Sequence, residues 1–150
     1  MTQDRRAPLI QRGIVDFIIA SDLLRFQIES ALRPLELNLT QMSLLNHFAW
    51  QPEKTTTITE LTQVMAINQP GVTKAVSALV DKRCLEKVDS AEDARVKHLK
   101  ITAQGLAMLN KARTASYPAV EAAFGSLDDR ELIDFCASMQ KMKNYLAGNS

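Results

Sequence analysis

Residues Asn68–Arg83 read NQPGVTKAVSALVDKR, a stretch that combines an ordinary packed helix with an unusual first turn. Its apolar residues recur at the spacing of one helix face, at Val72, Ala75, Val76, Leu79 and Val80. The first turn holds Gln69 and Gly71 and adds little to that face, while Thr73 and Lys74 point away from it. The pattern predicts a helix that packs along one side and presents its start to something outside the core.

Two further patterns flank this helix. Before it, ITELTQVMAI at 58–67 has helical periodicity, with Thr59 as the expected cap. After it, CLEKV at 84–88 and VKHLKIT at 96–102 are strand-like runs on either side of the charged stretch DSAEDAR. The sequence therefore predicts a helix-turn-helix followed directly by a β-hairpin, with TTTI at 55–58 as a short additional strand.

The rest of the chain has the periodicity of helices. The remaining helical patterns cover residues 11–35, 38–50, 103–124 and 126–146. Asn38 or Thr40 can cap the second of these, and Asp128 and Glu131 are spaced as a capping box for the last. The predicted fold class is mainly α with a small β-hairpin wing, which is a winged helix-turn-helix arrangement.

Composition limits the classes of function. The chain has 150 residues, enough for one domain or two small lobes that share a core. It is 46% hydrophobic and 23% charged with a net charge of +1, so a role with nucleic acid must rest on a local patch. The N-terminal residues lack the apolar core of a signal peptide, and no stretch is long and apolar enough to span a bilayer. These features predict a cytoplasmic protein with no membrane partner.

The start of the helix at Asn68 has the chemistry of a DNA contact, and Asn68 itself can cap the exposed N–H groups of the first turn. In winged-helix modules the second helix presents its N-terminal residues to the major groove. Gln69 and Thr73 can hydrogen-bond to bases, Lys74 can reach a base or a phosphate, and Gly71 allows close approach of the backbone. A solvated helix start with no ligand explains the same residues, and the turn alone does not separate the two interpretations.

The hairpin carries a more specific pattern. The run DARVKHLKIT contains an acid, an arginine, two spaced aliphatic residues and a threonine, and a glycine follows the run. These residues are Asp93, Arg95, Leu99, Ile101, Thr102 and Gly105. The preceding helix pair supplies Leu61, Val72, Thr73, Lys74, Val76 and Leu79. On these residues the chain resembles the MarR family of bacterial transcription regulators, over nearly its whole length.

The resemblance implies an architecture and a partner. It implies a homodimer whose first and last helices interlock, with residues 1–36 and 103–150 as the helical dimerisation region and residues 37–102 as the DNA-binding lobe. Each subunit would place one recognition helix in a half-site of a pseudo-palindromic operator in double-stranded DNA. It further implies a transcription regulator, expected to be a repressor that a small-molecule effector relieves.

The resemblance also implies roles for individual residues of the wing and the recognition helix. Arg95 would enter the adjacent minor groove, and Asp93 would orient the wing through a salt bridge. Ser77 and Lys97 join Gln69, Gly71, Thr73 and Lys74 as expected DNA-binding residues.

The chain departs from the family pattern at one position and in its charge. Arg83 stands where the family usually has glycine; a positive φ there would cost about 1 kcal/mol, and a different turn would instead direct Arg83 towards phosphate. From Pro70 to Lys100 the net charge is only +2. A rival interpretation is a helical dimeric protein-interaction module that keeps the fold without binding an operator.

No pattern predicts an enzyme, a cofactor or a metal. His47 and His98 lack metal-ligand spacing, and His47 is expected to be a partly buried structural residue. Cys84 and Cys136 fall on apolar positions, where core packing is the favoured interpretation.

Overall fold

The computed structural model describes residues 3–89, 92 and 95–148, and within them the chain forms six α-helices and one β-hairpin. In chain order these are α1 (Gln3–Leu32), a 3₁₀ turn (Arg33–Leu35), α2 (Leu39–Trp50), α3 (Ile58–Met65), α4 (Gln69–Asp81), β1 (Leu85–Asp89), β2 (Lys97–Ile101), α5 (Ala103–Phe124) and α6 (Asp129–Gly148). The predicted fold class, a winged helix-turn-helix that is mainly α with a small hairpin, is confirmed.

The hydrophobic core lies beneath the helix-turn-helix and the hairpin. Its buried members are Leu32, Leu37, Leu44, Leu45, Phe48, Leu61, Val72, Ala75, Val76, Leu79, Cys84, Leu85, Leu99, Ile101, Leu109 and Ala112. Helix α5 thus supplies two side chains to the core of the lobe, whereas α6 has no buried residue. The division into residues 1–36 and 103–150 for dimerisation and 37–102 for DNA binding stays a prediction.

Local caps set where the helices begin. Asn38 caps α2 in a capping box with Gln41, and Asp128 with Glu131 forms the predicted box before α6. The expected cap of α3 at Thr59 is wrong, because the helix already begins at Ile58 and Thr57 is the residue that caps it.

The predicted hairpin is present, and its two strands pair antiparallel from Leu85 opposite Ile101 to Asp89 opposite Lys97. The additional strand predicted for TTTI is reduced to one bridge, between Thr56 and Leu99. The pairing is this short because Thr57 and Ile58 turn into the start of α3.

The first turn of α5 lies directly against the backbone that joins α4 to β1. A Cβ placed on Gly105 would be 2.2 Å from the carbonyl oxygen of Cys84 and 2.8 Å from Cγ1 of Ile101. The Thr102 hydroxyl donates to the carbonyl oxygen of Arg83 at 2.6 Å, and Gln104 Nε2 donates to that of Lys82 at 2.9 Å. Only a residue without a side chain permits this approach at position 105, so the junction holds α4 and the hairpin to α5.

Arg83, two residues after the last residue of α4, has a left-handed backbone conformation. Its φ is 58°, its N–H bonds to the Val80 carbonyl at 2.9 Å, and the N–H of Cys84 bonds to the Leu79 carbonyl at 2.8 Å. These two bonds form a Schellman motif, in which glycine is the usual left-handed residue. Of the two alternatives for this position, the positive φ is therefore the one present, at a cost of about 1 kcal/mol relative to glycine.

None of the helices in the described part of the chain combines the length and apolar character that crossing a bilayer requires.

Gly105→Ala should lower the free energy of unfolding by about 2–3 kcal/mol, because the new methyl group overlaps a backbone carbonyl that cannot move alone. Urea unfolding followed by circular dichroism measures the change. Gly148→Ala, at the last residue of α6, is the control, since its Cβ would meet nothing within 4 Å; it should leave stability equal or raise it by up to about 1 kcal/mol. Equal stabilities for the Gly105 variant and the wild type would contradict the junction described above.

Candidate nucleic-acid interface

The first turn of α4 is held by its own sequence. Asn68 is extended, and its side-chain oxygen Oδ1 accepts the N–H of Gly71 at 2.8 Å, which confirms the predicted cap. Pro70 occupies the first turn, where its missing N–H costs no intrahelical hydrogen bond. The exposed side chains of this turn are therefore not needed to form the start of the helix.

Gly71 lies in a tight space at the turn between α3 and α4. A Cβ there would lie 3.0 Å from Cγ2 of Ile67 and 3.1 Å from Oδ1 of Asn68. The amide of Gly71 is already donated to Asn68, so the absence of a side chain has a structural reason independent of any ligand. The predicted contact of Gly71 with DNA stays a prediction.

Four of the predicted DNA-binding residues lie together on the exposed side of α4. Gln69, Thr73 and Ser77 are exposed and spaced four residues apart, so they form one row, and exposed Lys74 lies beside it. The opposite side of the helix carries the buried residues Val72, Ala75, Val76 and Leu79. The structure thus separates a core face from a polar face on the same helix.

Two of the exposed cations of the wing lie at the start of β2. Arg95 precedes β2, and Lys97 is its first residue. Asp89 lies directly opposite Lys97 in the hairpin register, so a carboxylate reduces the positive potential of this surface. Asp93, the predicted wing-orienting residue, lies outside the described residues.

A segment between α2 and α3, residues 51–57, fastens the wing to the lobe; we term it the connecting segment. The N–H of Thr56 bonds to the Leu99 carbonyl at 3.0 Å, and the N–H of Leu99 bonds back to Thr56 at 2.8 Å. Lys100 Nζ donates to Glu53 Oε2 at 2.9 Å. Sequence reasoning missed the ion pair, although the β-branched run TTTI signalled the bridge.

A carboxylate joins the connecting segment to α3. Glu60 Oε2 accepts the Thr56 hydroxyl at 2.7 Å and the N–H of Thr57 at 2.9 Å. These hydrogen bonds, with the positive charge of Lys54 nearby, hold the pKa of Glu60 below its usual value. Ionised Glu60 therefore stabilises the start of the helix-turn-helix.

An open cleft of about 710 Å³ lies between α2, the connecting segment, α3 and α6. Trp50, the only tryptophan of the chain, is 85% exposed at its edge, and Lys54 and Lys143 supply positive charge. Asn46 also lines the cleft, and its side-chain oxygen accepts two N–H groups of Arg113 on α5, at 3.1 and 2.6 Å. Two basic side chains beside an aromatic ring suit an anionic aromatic ligand.

The histidines and cysteines do not form a chemical site. His47 is exposed at the cleft, so the expectation that it is partly buried is wrong. Cys84 is buried as predicted, and burial raises the pKa of its thiol, which makes the reactive thiolate scarce. Core packing was wrong for Cys136, which is exposed because α6 does not reach the core of this chain. Among the described residues no three His, Cys, Asp or Glu side chains come together as metal ligands.

Comparison with known proteins finds a family profile that matches the part of the chain carrying this surface. The profile of the MarR family matches residues 35–96, from the 3₁₀ turn to the residue before β2. This range holds α2, the complete helix-turn-helix and the first strand of the wing. It therefore includes the row of exposed side chains on α4.

Solved structures share the fold over almost the whole chain. AbsC, a MarR family transcriptional regulator from Streptomyces coelicolor, is 15% identical, with a TM-score of 0.78 over 99% of this chain and 97% of that chain. BpsR from Bordetella bronchiseptica, whose DNA binding is regulated by 6-hydroxynicotinic acid, is 18% identical, with a TM-score of 0.76 over 89% and 98%. A variant of MarR from Escherichia coli complexed with operator DNA is 18% identical, with a TM-score of 0.74 over 90% and 93%.

Glu60→Gln should lower the free energy of unfolding near pH 7, and the difference from the wild type should shrink as the pH falls. The pKa of Glu60 in the folded chain lies below its usual value of 4.5. The stabilisation by the charged form is therefore complete above that value and is lost as the pH falls through the folded-state pKa. Urea unfolding at a series of pH values between 7 and about 3 follows both proteins across this range. Glu121→Gln, an exposed side chain on α5, is the control, and a pH-independent difference for Glu60→Gln would contradict the assignment.

Proposed function

Because this chain belongs to the MarR family, we propose that it is a homodimeric, sequence-specific DNA-binding transcription regulator. In this proposal it acts in the cytoplasm as a repressor, and a small-molecule effector releases it from its operator. The observation that carries the proposal is the exposed row of Gln69, Thr73 and Ser77 with Lys74 beside it, on a helix followed by a wing with Arg95. The proposal involves no catalytic residue, cofactor or resident metal.

Helix α4 has side chains that suit base recognition. A glutamine can bond bidentately to adenine in the major groove, and a lysine can contact guanine or phosphate. Gln69 and Lys74 fill these roles in the proposal, with Thr73 and Ser77 as shorter contacts further along the groove. The free positive end of the helix dipole favours a phosphate at the same turn.

The wing supplies the contact with the minor groove in this proposal. Arg95 enters the groove, where negative potential attracts a guanidinium group, and Lys97 follows it along the backbone of the DNA. Asp93 orients the wing and does not touch DNA, because a carboxylate is repelled by phosphates.

The long terminal helices support the proposed homodimer. Nine large apolar side chains of α1 are between 46% and 68% exposed: Leu9, Ile10, Ile14, Val15, Phe17, Ile18, Ile19, Leu23 and Phe26. Helix α6 adds Ile133 at 68%, Met142 at 48%, Tyr145 at 71% and Leu146 at 61%. Surfaces of this extent are covered in stable proteins, and a second copy of the chain covers them in the proposal. Two recognition helices then face the two half-sites of a pseudo-palindromic operator.

The cleft beside Trp50 is the proposed effector site. Regulation of BpsR by 6-hydroxynicotinic acid offers a precedent for a small aromatic acid. Lys54 and Lys143 suit such a carboxylate, and Trp50 suits its ring. A ligand between α2 and α6 changes the spacing of the two recognition helices, so that both half-sites are no longer engaged together.

A second candidate function is a dimeric protein-interaction module that retains the fold without operator binding. Asp89 opposite Lys97, and the net charge of +2 from Pro70 to Lys100, favour it, since both weaken attraction to phosphate. The dependence of binding on salt separates the two functions.

Fluorescence anisotropy with DNA from the upstream region of the protein's own gene, measured across a salt series, tests the proposal. Tight binding that is lost on scrambled DNA and falls steeply with salt is expected, because phosphate contacts release counterions. Sedimentation analysis of the same sample should give twice the mass of the chain. No binding even at low salt would overturn the regulator proposal and favour the interaction module.

Arg95→Ala should weaken operator binding about tenfold without changing the dimer, because the minor-groove contact is lost while the wing carries no core residue at this position. Anisotropy titrations at two salt concentrations should also show a shallower salt dependence. Lys111→Ala, which removes an exposed charge on α5, is the control and should bind as the wild type does. Unchanged affinity of the Arg95 variant would remove this residue from the interface.

Gln69→Ala should relax the preference for one base pair by about 1–3 kcal/mol, which is the value of a bidentate contact. Competition with operators substituted at each position locates that base pair. Gln140→Ala, an exposed glutamine on α6, is the control with no expected effect. An equal loss of affinity for every sequence would make Gln69 a contact that positions the helix without reading a base.

A further inference from the structure

We infer that the start of α1 from a second copy of this chain lies in an apolar groove where α1, α5 and α6 meet, and that opposite charges on the two surfaces select this partner. The inference rests on the proposed homodimer and deepens it. It names the segment that enters the groove, the surface that receives it and the charges that make the chain pair with itself.

The apolar groove is a cavity of about 370 Å³ between α1, the end of α5 and the start of α6. We use this name for the surface formed by Phe17, Leu24, Phe124, Leu127 and Phe135. The rings of Phe124 and Phe135 pack edge to face, with their centroids 5.5 Å apart. No charged side chain is among the described residues that line the groove. An apolar occupant that removes this surface from water is therefore favoured.

The first half of α1 is not covered by its own chain. Every residue from 5 to 20 is exposed, and these residues include Leu9 at 55% and Ile10 at 58%. At 1.5 Å per residue, Arg5 lies about 18 Å along the helix axis from Phe17, which lines the groove. Because α1 is one continuous helix, its start cannot fold back into the groove of its own chain. Only another molecule can cover these apolar side chains.

The two surfaces carry opposite charge. From Gln3 to Ile14 the chain has three arginines and one aspartate, which gives a net charge of +2. From Asp128 to Asp134 it has four acids and one arginine, which gives a net charge of −3. Leu127 and Phe135, directly before and after this acidic run, both line the groove. A cationic, apolar helix start therefore matches an apolar groove with an acidic edge.

The needs of the separate helices do not account for these charges. Arg5 and Arg6 lie in the first turn of α1, where the positive end of the helix dipole disfavours cations. In α6 the capping box accounts for Asp128 and Glu131, but Asp134 lies beyond the first turn. Carboxylates of a second copy near the start of α1 offset the unfavourable placement of its arginines.

Two-fold symmetry makes the arrangement reciprocal. Each copy places the start of its α1 in the groove of the other, so two equivalent contacts form and the assembly closes at two chains. Another chain of the same fold pairs here only if it carries the same pattern of charge, because like charges at the edge of the groove repel. The groove thus supplies apolar area, and the charges decide which chain occupies it.

The first test variant reverses the charge at the start of α1. Arg5→Glu with Arg6→Glu changes the net charge of this segment from +2 to −2, since each substitution changes it by two. Carboxylates in a first turn favour the helix, so weaker pairing cannot be attributed to loss of α1. The control is Lys87→Glu with Lys111→Glu, which makes the same change of total charge at exposed residues that do not line the groove.

The second test variant reverses the charge at the edge of the groove. Asp129→Lys with Asp134→Lys changes the net charge of the run from −3 to +1, again by two for each substitution. Both side chains are exposed, and the capping box of Asp128 and Glu131 is left intact.

Sedimentation equilibrium of the full-length proteins without DNA measures the pairing. For each variant alone the Kd of the dimer should rise about tenfold or more, because both contacts then join like charges. An equimolar mixture of the two variants should form a mixed dimer that recovers most of the lost affinity, since opposite charges meet again at both contacts. Native mass spectrometry identifies that mixed dimer by its mass. At about 1 M salt, where the Debye length is roughly 3 Å, the differences from the wild type should shrink.

Ala123→Trp tests the groove without a change of charge. Ala123 is exposed and lines the groove, so the added indole occupies the space that the second copy needs. The Kd of the dimer should rise about tenfold or more. Gln63→Trp, at an exposed position on α3, controls for the added bulk and should dimerise as the wild type does. Circular dichroism establishes that every variant is folded.

Three results would each overturn the inference. They are a charge-reversed variant that dimerises as tightly as the wild type, a mixture with no preference for the mixed dimer, and an unchanged dimer for Ala123→Trp. The last result would assign the groove to another occupant, such as a small apolar ligand.

Failure of the inference can be told from failure of the proposed function. A wild-type chain that sediments as a monomer would overturn the homodimer and the inference together. A wild-type dimer whose pairing ignores the reversed charges refutes the inference alone. A dimer that responds to them and binds no DNA supports the inference and refutes the regulator.

Discussion

The contact between the first turn of α5 and the backbone after α4 is the constraint on which the rest of the structure depends. Gly105 lies where any side chain would overlap the Cys84 carbonyl, and Thr102 and Gln104 bond to the carbonyls that end α4. Helix α4 is thereby attached to a long helix that runs on beyond the lobe. Because no flexible linker separates α5 from α4, we expect a change in the position of α5 to move α4 as well.

The two ends of α4 are held in different ways, and this difference suits DNA recognition. At its C-terminal end the chain turns through Arg83 in a left-handed conformation that bonds to α5 through its carbonyl oxygen. At its N-terminal end the helix begins at a local cap, Asn68, and the side chains of Gln69, Thr73 and Lys74 face outwards. One end is thus built into the fold, while the other keeps its polar side chains for a partner.

Several parts of the fold and the site followed from local pattern. The cap at Asn68, the capping box of Asp128 and Glu131, and the two strands of the hairpin depend on residues close in sequence, whose spacing is visible without a structure. The cap of α3 was misplaced by two residues because Thr57 and Thr59 offer the same hydroxyl. The choice depends on where Thr56 is held, and that is set by Leu99, far along the chain.

The sequence by itself determined the winged helix-turn-helix and the polar row on α4, because helical and strand periodicity and the turn residues specify them locally. Tertiary structure alone decided the exposure of His47 and Cys136, the cleft beside Trp50 and the attachment of the wing through Glu53 and Thr56. These features join residues more than 40 positions apart or depend on which helix faces another. Periodicity tells which side of a helix is apolar, but burial depends on what lies against that side, and only the packed chain supplies that information.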